Sequence, residues 1–135
     1  MQTIQNSGCV IVDGEKLLVL FKRKHQHFEF PGGKVREGET LEQTALRETK
    51  EELGVDVELV RFVCFKDFHI NGKDYRSHKF LAKIKKGQIP RVAEPEIFEK
   101  LFWMPMKEYK KYSCAQNLKE FCEDFVQGKL DLSYE

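Results

Sequence analysis

Glu48, Glu51 and Glu52 crowd into five residues of the stretch GGKVREGETLEQTALRETKEELGV, which runs from Gly32 to Val55. On a helix, like charges three or four residues apart cost roughly 0.2–0.5 kcal/mol per pair. Steps of about 100° from Glu48 put Glu52 near 40° and Glu51 near −60°, so the three carboxylates share one arc. Leu46, Thr49 and Leu53 fall beside that arc and form the flank expected to face the core. Basic residues are not interleaved to neutralise the arc, although Arg47 can brace Glu51 four positions on. A solvated charged face is the plain alternative. Against it stands the Gly32-Gly33 turn, where bare backbone can approach a ligand or offer a carbonyl oxygen. Three carboxylates and a carbonyl make a hard-oxygen site suited to Mg²⁺ (or Mn²⁺), and such a cation would remove the repulsion.

The elements that must position these residues are legible around them. Val10 to Val12 and Leu17 to Phe21 read as two strands joined by a turn at Asp13-Gly14. KRKHQHFEFPGG follows as a polar loop ending in the glycine turn. Thr40 and Gln43 form a capping-box pattern, and Gly54 suits a left-handed helix end, so a helix of about four turns is expected between them. Val57–Phe65 and Tyr75–Ile84 read as strands turned by Asn71-Gly72. Phe98–Trp103 reads as a further strand stopped by Pro105. In 115–127, Leu118, Phe121, Cys122 and Phe125 recur at helical spacing. Strands, helix, strands, helix, with mostly hairpin links, predict a mixed α/β (α+β) domain with helices packed on a sheet.

A chain of 135 residues that is 41% hydrophobic suits one compact domain spanning 1–135. With 23 basic and 22 acidic side chains the formal charge is +1, which argues against a coat for long nucleic acid or an anionic membrane. Apolar runs are too short to span a bilayer and the N-terminus lacks a signal-peptide pattern, so a cytoplasmic location is expected. Cys9, Cys64, Cys114 and Cys122 show no metal-ligand spacing and read as reduced thiols.

The pattern G-x5-E-x7-R-E-U-x-E-E-x-G-U, with U a bulky aliphatic, is present as Gly33, Glu39, Arg47, Glu48, Thr49, Glu51, Glu52, Gly54 and Val55. It resembles the signature of the Nudix hydrolases over residues 33–55, and the order of elements resembles their αβα sandwich, a mixed β-sheet packed between helices. Thr49 departs from the aliphatic usual at its position; its hydroxyl is expected to bond back to the Ala45 carbonyl. The resemblance implies hydrolysis of a nucleoside diphosphate linked to another group. By it, Glu48, Glu51 and Glu52 bind divalent metal with the Gly32 carbonyl, and Glu48 or a neighbouring carboxylate activates water. Arg47 orients the glutamates, while Glu39 supports the loop or the outer metal shell. Bound metal can neutralise the phosphate oxygens and deprotonate the water. Lys34 beside the turn is a candidate phosphate contact as well as an ordinary surface lysine.

RVAEPEIFEKLFWMP resembles a later segment of MutT-like members, where a loop carboxylate joins the metal; Glu94 is the first candidate and Glu96 the second. EFPGGK also resembles that branch, which converts nucleoside triphosphates to monophosphates and pyrophosphate. Phe28, Phe30 and Phe80 are candidate walls for the base, Gln116 or Asn117 a candidate amide, and Arg23 a candidate for ribose or phosphate. A core role for the phenylalanines and a cap or turn role for Asn117 are the structural alternatives. His25 and His27 flank the loop before the glycines, as solvated residues or substrate contacts, with His69 and His78 further on. No proline stands between Val55 and Pro90, and Tyr75 falls late for a dinucleoside polyphosphate enzyme. A small-molecule nucleotide, foremost a (d)NTP, is therefore the expected partner of a monomer or homodimer. ADP-ribose, a dinucleoside polyphosphate or an RNA 5′-pyrophosphate are alternative substrates, and a nucleotide-binding regulator without catalysis is the non-enzyme alternative.

Overall fold

A computed structural model describes residues 2–135. The strands are β1 (Ile4–Val10), β2 (Val12–Asp13), β3 (Lys16–Lys22), β4 (His27–Glu29), β5 (Gly32–Lys34), β6 (Val57–Ile70), β7 (Lys73–Ile84) and β8 (Phe98–Pro105). Helix α1 covers Leu41–Leu53 and α2 covers Gln116–Val126, with a 3₁₀ segment at Met106–Lys111. One sheet has the order β5-β1-β7-β6; in the other, β3 pairs with β2, β4 and β8. The class is α+β, as expected, with a mixed sheet because β1 and β7 run parallel.

Helix α1 forms where its caps require. Thr40 Oγ1 accepts from Gln43 N at 3.0 Å, and Gln43 Oε1 accepts from Thr40 N at 2.9 Å. These bonds satisfy amides that the first turn cannot. Gly54 ends the helix at φ 69°, and its N–H donates to the Lys50 carbonyl.

Two buried clusters hold the layers together. Cys9, Ile11, Leu18, Leu20, Ala45, Leu53 and Phe80 pack beneath α1, whereas Val10, Val19, Phe30, Leu81, Leu118 and Phe121 pack beneath α2. Alternation along β1 sends odd-numbered residues to the first cluster and even-numbered ones to the second.

Several expectations need correction. The hairpin turned at Asp13-Gly14 is present, with Val12 opposite Leu17. The first strand, however, begins at Ile4 and the chain changes sheets after Val10, so Val10 belongs to β1 and not to that hairpin. The polar loop before the glycines contains β4, and Gly32-Gly33 is not a turn but the start of β5, antiparallel to β1. Strand β8 continues through Pro105, and the β6–β7 ribbon extends to Ile70 and Lys73 around Asn71-Gly72. The β1–β7 pairing also joins segments that no hairpin links.

Candidate functional site

The acidic arc of α1 divides into two settings. On the outer side, Arg47 collects carboxylates. Its Nε donates to Glu39 Oε2 at 2.7 Å and its Nη2 to Glu39 Oε1 at 3.0 Å, a two-pronged pairing. Nη1 reaches Glu48 Oε1 at 2.7 Å and Glu51 Oε2 at 3.3 Å, while Nη2 also donates to the Lys34 carbonyl at 3.2 Å. Arg47, with help from the Thr44 hydroxyl, holds Glu39 down at about 2. Glu39 reciprocally pushes the guanidinium further above its ordinary range. The anticipated brace to Glu51 is present, but the bonds to Glu39 and Glu48 are shorter.

On the inner side, Glu52 is only 6% exposed and belongs to the packed flank. Leu46, assigned to that flank from the helical wheel, is instead 40% exposed. The buried residues of the helix are Thr44, Ala45, Thr49, Glu52 and Leu53, so the packed side takes in Glu52 from the carboxylate arc. Glu52 Oε1 accepts from the Gly32 N–H at 2.8 Å. Burial pushes its carboxyl up to about 9; the Gly32 amide opposes this, and Glu48, Glu94 and Glu29 add like charge. The Thr49 hydroxyl, buried on the same side, has no hydrogen-bond partner, so the anticipated bond to Ala45 is absent. The Ala45 carbonyl faces Cys9 Sγ at 3.7 Å.

Main chain demands glycine at position 32, and glycine at 33 leaves room for the Glu48 carboxylate. A Cβ on Gly32 would lie 2.9 Å from Gly8 Cα, and one on Gly33 would lie 2.6 Å from the Glu48 carboxyl carbon. Backbone β1, backbone β5 and the α1 carboxylate are thus stacked without intervening side chains.

Glu94 reaches the site through backbone pairing. Arg91 N and Ala93 N donate to the Leu53 and Glu52 carbonyls, each at 3.0 Å, satisfying the free end of α1. Glu94, next in the chain, is held above its ordinary range by burial and by the charges of Glu51, Glu48 and Glu96. Glu96 is exposed. Arg23 Nε donates to the Pro95 carbonyl at 2.8 Å, tying the basic β3–β4 turn to this loop. Lys34, Val35, Arg36, Glu37 and Glu48 line an open groove of about 440 Å³.

The base-contact candidates are dispersed. Phe28 packs edge-on against Phe21 at 5.0 Å, Phe30 against Phe121 at 5.1 Å, and Phe80 against Phe62 at 5.6 Å. Phe80 lies in the α1 cluster and the other two in the α2 cluster, so the three do not form one set of walls. Gln116 is exposed at the start of α2 and donates to Glu120 at 3.4 Å; Asn117 is half-buried beside it. His27 shares a 2.6 Å contact with Glu29, whereas His69 and His78 pair with Asp74 and Gln5.

Sequence reading missed Lys79. It is 3% exposed, and its Nζ lies 4.1 Å from the centre of the Phe30 ring. Burial pushes this ammonium down to about 8, against the opposing pull of Cys64, Cys9, Glu29 and Glu52. In KDYRSHKFLAKI only strict alternation, with Ser77 and Leu81 on the same buried face, could have signalled it.

Among the described residues, no three Asp, Glu, His or Cys side chains yet converge as a metal cage. Arg47 draws Glu48 and Glu51 toward itself. By donor chemistry the group nonetheless fits a hard divalent cation: Glu48, Glu52 and Glu94 are all-oxygen, mutually repelling, and one is buried.

Comparison with known proteins bears on the family and the fold. Residues 3–125 match the NUDIX domain model. Nudix hydrolase 2 of Arabidopsis thaliana is 28% identical over 136 residues, covering 95% of this chain and 49% of its own length. An 8-oxo-dGTP diphosphatase of Buchnera aphidicola is 35% identical over 85 residues, covering 59% of this chain and 63% of its own. The chain thus spans about half to two thirds of the length of these relatives. The crystal structure of a MutT NUDIX hydrolase from Burkholderia pseudomallei superposes with a TM-score of 0.83 at 26% identity, covering 91% of this chain and 98% of that one. The domain match over residues 3–125 shows that this chain belongs to the Nudix family.

Proposed function

We propose that this chain is a Mg²⁺-dependent (or Mn²⁺-dependent) hydrolase of the pyrophosphate linkage in nucleoside diphosphate derivatives, with (d)NTP + H₂O → (d)NMP + pyrophosphate as its main reaction. The observation that carries this reading is the buried Glu52 carboxylate, fixed by the Gly32 amide, with Glu48 and Glu94 beside it. Such a cluster is costly without a cation and useful with one. When bound, the cation screens the phosphate oxygens and acidifies the attacking water.

The chain's own groups do the remaining work. Glu52, Glu48 and Glu94 would hold the cation, with Glu51 as a further carboxylate beside them on α1. Arg47 keeps Glu48 aimed at β5 through Nη1, and Glu39 keeps Arg47 in place. The water oxygen forms a bond to phosphorus as the anhydride P–O bond breaks; its proton passes to Glu48 or a neighbouring carboxylate, and pyrophosphate departs. Lys34 and Arg36 line the groove beside Glu48 and supply positive charge for phosphate oxygens. A relative named as an 8-oxo-dGTP diphosphatase supports a triphosphate substrate.

Purified protein with Mg²⁺ and a panel of nucleotides tests the proposal, with pyrophosphate release expected from at least one triphosphate. Cleavage of ADP-ribose, a dinucleoside polyphosphate or a 5′-triphosphorylated RNA alone would replace the substrate assignment. Tight nucleotide binding by calorimetry, with no product over hours, would make the chain a binding protein.

A further inference from the structure

Apart from the glutamate site, two polar groups on one face of the β1–β7 sheet are buried and underused. Lys79 is 3% exposed, and no ion pair among the described residues involves it; its ammonium rests on the Phe30 ring. Asn6 Oδ1 is buried with no hydrogen-bond partner. In the parallel ladder Asn6 pairs with Ser77 and Gly8 with Lys79, so the two side chains emerge on the same face as diagonal neighbours. Val10 and Leu81 continue that face into the α2 cluster. A buried ammonium without an ion-pair partner and a buried carbonyl without a donor each carry a desolvation penalty. The next ladder pair, Cys9 and Phe80, belongs to the cluster beneath α1, so the Lys79 side chain lies on the opposite face of the sheet, against Phe30.

We propose that Lys79 and Asn6 read the nucleobase: the Lys79 ammonium donates to an exocyclic carbonyl oxygen, and Asn6 Oδ1 accepts from the adjacent ring N–H. One donor and one acceptor side by side complement the lactam edge of guanine, hypoxanthine, uracil or thymine. In the same pose adenine and cytosine set an amino donor against the ammonium and a bare ring nitrogen against Oδ1. Both contacts become repulsive, and sites that pair polar groups discriminate most sharply in this way. The aromatic face of Phe30 is taken by Lys79, so this ring supports the lysine instead of stacking freely on a base. The assignment rests on the nucleotide hydrolase reading above.

The test compares dITP with dATP, purines that differ only at the exocyclic group and the ring N–H. The wild-type protein should favour dITP by about tenfold or more in kcat/KM, the discrimination expected when a buried polar pair is left unmatched. Lys79→Met should bring the ratio to near one through a higher KM for dITP, and Lys79→Arg should restore part of it. A ratio unchanged in Lys79→Met, or an equal loss for both substrates, overturns the proposal. Asn6→Leu, with the same expected collapse, serves if Lys79→Met does not fold. If no triphosphate is hydrolysed, the hydrolase reading fails separately. Base reading is then measured by NMR titration with dIMP and dAMP, where equal affinities overturn it.

Discussion

Arg47 and Glu52 lie five residues apart on α1, and the fold treats their charges in opposite ways. The guanidinium is shared by three carboxylates and one carbonyl. The Glu52 carboxylate is buried with one backbone amide and three acidic neighbours. Paired charges near water assemble the architecture, because geometry and opposite sign offset much of their desolvation. Burial without an ion-pair partner disfavours the charged form of Glu52 in the free protein, so a carboxyl kept there points to a partner from outside. The same contrast separates Lys66, bonded to Asp124, from Lys79, bonded to no carboxylate.

Three substitutions test whether that contrast holds. Glu52→Gln should have the largest effect, lowering turnover by about 10²–10⁴-fold, the scale on which a reacting proton or ligand position matters. Because glutamine keeps an acceptor for the Gly32 amide and matches the uncharged carboxyl that burial favours without a cation, the melting temperature of the cation-free protein should not fall. Retained turnover would break the assignment of Glu52, and loss of fold would erase its distinction from Arg47.

Arg47→Met should do the reverse, costing stability first: about 2 kcal/mol by chemical denaturation, between the values for exposed and fully buried ion pairs. It should also change the acid limb of the stability curve. Glu39 is held at about 2 against an ordinary 4.5, so it binds protons more weakly folded than unfolded. Its stabilisation is therefore full above pH 4.5 and fades as the pH falls toward 2. In Arg47→Met that fading should be largely gone; an unchanged acid limb would show that Arg47 is not its source. The smallest effect is expected from Thr49→Val, which removes an unpartnered hydroxyl at nearly constant shape. A gain of about 1 kcal/mol with activity retained would mark this position as packing alone.

Legibility followed the range of the interactions. Helix α1 could be bounded to within a residue because Thr40, Gln43 and Gly54 act within one turn of its ends. The β6–β7 ribbon was visible for the same reason, through Asn71-Gly72. Strand β1 was not: IQNSG is polar and becomes interior only because β5 and β7 pair with it from both sides. The glycines of β5 read as a turn because their lack of side chains serves a contact across the sheet, which no local pattern reveals. In the site, the carboxylates and Arg47 were identifiable from spacing and family resemblance. Glu52 on the packed flank, Leu46 in solvent and Lys79 under Phe30 depended on neighbours distant in sequence.

The glycine stack from Gly8 through Gly32 and Gly33 to the Glu48 carboxylate has a mechanical consequence. Any rotatable side chain in that stack would let the separation between sheet and helix wander with its torsions. Bare backbone has a fixed thickness, so it works as a gauge block whose dimension is set by covalent bonds. The Glu48 carboxylate, placed by its own torsions and by Arg47, can thereby lie directly against the β5 main chain.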